Sequence, residues 1–103
     1  MTVHLTKRWG ESIDNPDATD LVAALEELSV PDTEHPDCWL SDENDWTVSA
    51  FHSGPVILEN PETREGPWHM RRLSTTEIVQ LWNLLALGKL DEVRKLPWVA
   101  GNS

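Results

Sequence analysis

One cysteine, no tyrosine, a single phenylalanine and only eight lysines and arginines are what this chain of 103 residues has least of. Cys38 alone cannot close an intrachain disulfide, which excludes a disulfide-stapled secreted scaffold and fits a reducing compartment. No apolar run approaches the ~20 residues of a membrane span. Residues Met1 to Gly10 alternate small apolar with charged side chains and lack the apolar stretch of a secretory leader. The expectation is a soluble, cytoplasmic protein. The G-x-S-x-G elbow, the phosphate loop, H-E-x-x-H and C-x-x-C are all missing, so the expectation is also a protein without enzymatic activity or cofactor.

The shortage of cations is matched by an excess of acids. Eighteen Asp and Glu against eight Lys and Arg give a formal net charge of −10 and a pI of about 4.6. That charge disfavours a phosphate backbone or an anionic membrane as partner and favours a basic protein. Residues 1–45 hold twelve of the acids and only Lys7 and Arg8, whereas residues 46–103 hold six charges of each sign, so all the net charge lies in the first half. Length and a 39% apolar content with six tryptophans place residues 1–103 in a single acidic domain.

Local patterning gives the elements. Val3, Leu5 and Trp9 alternate with polar residues, which predicts a half-buried strand over 2–9 ended by Gly10, with Trp9 as an apolar anchor. Asn15-Pro16-Asp17 combines a cap residue with a proline suited to a first turn, and Leu21, Val22, Leu25 and Leu28 follow on one face, predicting a helix over 16–29. Pro31 and Pro36 bracket an acidic loop. Cys38–Leu40, Trp46–His52, Val56–Glu59 and Trp68–Leu73 read as strands, with a turn over 41–45 and a loop over 60–67. Ser74-Thr75-Thr76-Glu77 is a capping box ahead of an apolar helical stripe that Gly88 ends, and Leu90–Leu96 predicts a last short helix. The order β-α-β-β-β-α-α predicts an α+β domain: a mainly antiparallel sheet of about four strands with two to three helices packed on it.

Candidate chemistry is sparse. His35 and Cys38 are ligand types three apart, but a structural zinc site needs a second pair, and no metal is expected. No nearby cation in sequence lowers the Cys38 pKa, and catalysis by His52 or His69 finds no supporting motif. The stronger pattern is acidic and aromatic. Trp39 and Trp46 bracket the turn bearing Asp42, Glu43 and Asp45, and Asp32, Glu34 and Asp37 precede it. Tryptophan is a frequent centre of binding energy, and acids around it suit a cationic partner. These eight residues form the expected partner-binding set.

The layout of a leading helix, a tryptophan-bearing antiparallel hairpin (Trp39 to Leu58), a strand, and a capped helix running into Gly88 and ending at Leu96-Pro97-Trp98 resembles the small immunity proteins of bacterial polymorphic toxin systems. The resemblance covers about residues 18–98. It implies a protein that binds one cognate toxin domain and blocks its active site or substrate path. Two further expectations stand beside it: an acidic mimic of nucleic acid that inhibits a DNA- or RNA-binding protein, and a self-assembling structural or regulatory subunit, with a homodimer as its simplest form.

Overall fold

The computed structural model describes residues 2–101. It contains strands β1 (His4–Thr6), β2 (Ser12–Asp14), β3 (Asp37–Ser41), β4 (Thr47–Phe51), β5 (Val56–Asn60), β6 (Glu65–Met70) and β7 (Val99–Ala100). Helix α1 (Ala18–Glu27) lies between β2 and β3, and α2 (Thr75–Ala86) and α3 (Leu90–Arg94) lie between β6 and β7. All strands join one antiparallel sheet in the order β2-β1-β3-β4-β5-β6-β7. The fold is therefore α+β with seven strands rather than about four.

The additional strands have physical reasons for escaping the sequence pattern. Residues 7–10 do not extend β1 but turn the chain, with the Gly10 amide bonded to the Lys7 carbonyl at 2.9 Å. Ser12–Asp14 then pairs back onto β1 carrying a single apolar residue, Ile13, too little for an alternation. β7 is two residues long and exists only through its pairing with Trp68 and His69. β6 begins inside the expected 60–67 loop, because Gly66 and Pro67 are tolerated beside the register shift between Leu58 and Asn60.

Helix ends follow local chemistry. Ser74 and Glu77 form the capping box of α2. α1 is capped by Asp17 rather than Asn15, with a reciprocal bond to Asp20. Asn15 sits in the left-handed region at φ 50, and its carboxamide oxygen accepts from the Val3 amide at 3.1 Å, tying the helix approach to β1. α3 is shorter than expected, closing at Arg94.

Register assigns the two sheet faces, since ladder partners share a face and alternate along each strand. Leu5, Leu40, Val48, Leu58 and Trp68 form one row toward the helices, beside the row of Cys38, Ala50, Val56 and Met70. Leu21 and Ala24 of α1, Leu28 at its C-cap, and Leu81, Trp82 and Leu85 of α2 close over them. Trp82 is fully buried, and its indole N–H donates to the Val48 carbonyl at 2.9 Å, so its one polar atom is satisfied inside the core. Among the described residues no helix covers the opposite face, where Thr6, Trp39, Ser49, Ile57, His69 and Val99 make the central row.

Candidate partner-binding surface

The eight acidic and aromatic residues expected to meet a partner do not form one patch. Trp46 and Asp42 are withdrawn from the surface, 6% and 7% exposed respectively. The Asp42 carboxylate accepts from the amides of Asn44 and Trp46 at 2.9 and 3.0 Å, which closes the β3–β4 turn on itself. Asp45 holds the left-handed conformation that completes the turn, at φ 69. Asn60, buried, donates from its amide to the Asn44 carbonyl and pins the turn from below. Glu43 and Asp45 remain exposed, with the Glu43 carboxylate accepting from the Thr2 amide.

Trp46 packs on the helix side of the sheet, its ring 6.4 Å from that of Trp68 and nearly parallel. Arg94 of α3 lies over both, 5.1 Å from the Trp46 ring and 5.9 Å from the Trp68 ring, while a guanidinium nitrogen pairs with Glu65 at 3.6 Å. Trp46 thus serves as structure, closing the end of the core beneath α3.

Asp32 and Glu34 lie in the loop after α1. The Asp32 carboxylate accepts from the Glu34 amide at 3.0 Å and faces His35 Nδ1 at 3.3 Å. Burial pushes this carboxyl up, but the Glu34 amide and the His35 ring outweigh it and hold it below its ordinary value. Arg8 shapes the loop. It is 4% exposed, its Nε and one Nη donate to the His35 carbonyl at 3.0 and 2.7 Å, and the other Nη donates to the carbonyls of Glu27 and Val30. A cation at the carbonyl end of α1 also complements the helix dipole.

The same corner holds a residue that sequence reasoning assigned otherwise. Trp9, expected as a buried strand anchor, is 48% exposed at the β1–β2 turn, its ring 4.9 Å from that of His35 with the Arg8 guanidinium 5.1 Å from its centre. The exposed tryptophan nearest the Asp32–Glu34 loop is thus Trp9, and its ring meets His35 and Arg8. The local signal was Lys7-Arg8-Trp9-Gly10, where the glycine adopts φ 92 and makes these residues a turn.

Asp37 and Trp39 are both on the helix-free face of β3, half-buried, two residues apart on one strand. Across the sheet, Ser49 and Ile57 lie in the same row and are buried, 6% and 5% exposed. Burial, and secondarily the charge of Glu59, raises the Asp37 carboxyl above its ordinary value. Lysine and arginine are absent from all seven strands, whereas Asp14, Asp37, Glu59 and Glu65 occupy strand positions.

The Cys38 thiol points into the core near the Ala24 carbonyl, on the face opposite Asp37 and Trp39, and burial with the nearby Asp37 charge pushes its pKa up to about 12. His52 and His69 each turn Nδ1 to a backbone carbonyl, of Leu28 and Gly101. Among the described residues, no three or more of His, Cys, Asp and Glu cluster so as to hold a metal ion, and no helix is long and apolar enough to cross a membrane. Comparison with protein families, with curated proteins and with solved structures gives no match to this chain.

Proposed function

We propose that this is a non-enzymatic binding protein that neutralises a basic partner, as an immunity protein or antitoxin covers the active site or substrate cleft of a bacterial toxin. The observation that carries the reading is the distribution of charge over the sheet: carboxylates and a half-buried tryptophan on a face without helices, and no lysine or arginine in the seven strands. Such a face repels phosphate backbones and attracts a cationic cleft. Glu43 and Asp45 extend the negative field at one end of β3, and Asp32 and Glu34 beside Trp9 extend it at the other. Steering by a field of this kind raises association rates by roughly 10- to 1000-fold and fades with salt.

The test is capture of the tagged protein's partner from its own source cell, with washes at low and then high salt, followed by purification of the captured protein and assay of its toxicity on expression. The expected result is one stoichiometric basic protein, released by salt, whose toxicity is relieved by co-expression of this chain. Retention of the chain's own copies alone, or a captured protein whose activity is untouched, overturns the reading.

A further inference from the structure

We propose that Trp39 and Asp37, on the helix-free face, form the seat for an arginine side chain presented by the basic partner; the inference rests on the binding role above and names the group recognised. The tryptophans themselves point to it. Trp9 meets Arg8 and His35, Trp46 and Trp68 meet each other and Arg94, and the indoles of Trp82 and Trp98 donate to the carbonyls of Val48 and Val93. Among the described residues, Trp39 alone has no ring, cation or indole N–H partner.

The molecule also contains a filled version of the same arrangement. On the helix side, Arg94 lies over two indoles and pairs with the Glu65 carboxylate at 3.6 Å. At Trp39 the indole and the carboxylate are present, Asp37 lying two residues away on the same face, and the cation is not. The ladder partner of Trp39 on β4 is the small Ser49, and that of Asp37 is Phe51. Asp37 is half-buried, a costly position for a carboxylate that a guanidinium would relieve.

Arginine fits better than lysine, because its planar guanidinium stacks on an indole while its fork of N–H donors meets a carboxylate. An aromatic on an open sheet face would otherwise suit stacked nucleobases, but the charge of −10 opposes their phosphates. A face with no lysine or arginine in its strands suits a protruding cationic side chain from a protein surface.

The probe is the peptide acetyl-Gly-Arg-Gly-amide at millimolar concentration, with its glutamine counterpart as control, followed by 15N NMR of the intact chain. Saturable shifts of the Trp39 indole N–H and of the Ser49 and Ile57 amides are expected, about tenfold weaker for the glutamine peptide. Trp39→Ala and Asp37→Asn should abolish them, the second without disturbing the fold, while Glu43→Gln should leave them unchanged. Shifts confined to residues 41–45 or 32–35, no saturable shift, or shifts of this face that follow protein concentration without peptide, the sign of a second copy, each overturn the seat. A captured basic partner that binds the Asp37→Asn variant undiminished also overturns the seat but leaves the binding role standing. Peptide binding at Trp39 with no basic partner captured keeps the seat and removes the role.

Discussion

The rings of Trp46 and Trp68 lie 6.4 Å apart with 14° between their planes, joining β4's entry to β6 across the intervening β5. Arg94 covers the pair from α3. Because Trp46 fills core volume here, Trp46→Ala should destabilise the protein by about 3–5 kcal/mol, as truncation of a buried aromatic does. Arg94→Gln, at a half-exposed site, should cost only about 0.5–1 kcal/mol. Chemical denaturation of the two variants measures both, and equal losses would mean that the cation and not the packed ring holds this end together.

Arg8 gathers three backbone carbonyls, of Glu27, Val30 and His35, that among the described residues no other side chain reaches. A lysine offers one ammonium where the guanidinium offers a fork, so Arg8→Lys should cost roughly 1.5–3 kcal/mol. Hydrogen exchange should quicken first over residues 28–36. Unchanged protection there would show that the loop is held by its own turns.

Gly66 has φ 86, and a Cβ there would stand 2.9 Å from the Leu58 carbonyl oxygen and 3.1 Å from the Trp68 ring. Backbone cannot give way as a flexible side chain can, so Gly66→Ala should lower stability by about 1–3 kcal/mol or more. Gly54→Ala faces open space at φ 117, meets backbone strain alone, and should be the milder change. Thermal midpoints of the pair decide it.

Cys38 should resist alkylation by iodoacetamide at pH 8 in the folded protein and react on unfolding, since burial holds the thiol neutral up to about pH 12. The unfolded thiol ionises near pH ~8.5. The native state therefore keeps its proton over that interval, and stability contributed by this group is full below the lower value and is lost as pH rises toward the upper. Cys38→Ala should flatten the alkaline limb of a stability profile.

Asp37 follows the same sign with a different consequence. Its carboxyl is raised, by burial first and by Glu59 second, so its contribution to stability is greatest when protonated at acid pH and is lost as pH rises through the folded value. Asp37→Asn should leave the protein at least as stable at pH 7, and the advantage should shrink at pH 4. Melting curves at the two pH values test this. A loss of stability at pH 7 would make Asp37 a structural group.

Much of the architecture is set by local chemistry that a sequence displays. The reciprocal Ser74–Glu77 cap, the alternation through Cys38–Leu40 and Thr47–Phe51, and the acidic bias of residues 1–45 depend only on neighbours in the chain. The number of strands did not, because Ser12–Asp14 and Val99–Ala100 are too short to show a pattern and become strands only when β1 and β6 offer unpaired edges. Nor did the roles of the tryptophans. Trp39 and Trp46 are alike in composition and near in sequence, yet register sends one to the helix-free face and packing places the other beneath Arg94. Trp9, which strand periodicity would bury, is exposed because Gly10 turns the chain beside it. Charge and local turns belong to the sequence by itself; which aromatic meets water was decided by pairing between distant strands, since a side chain's face depends on register and its cover on what folds over it.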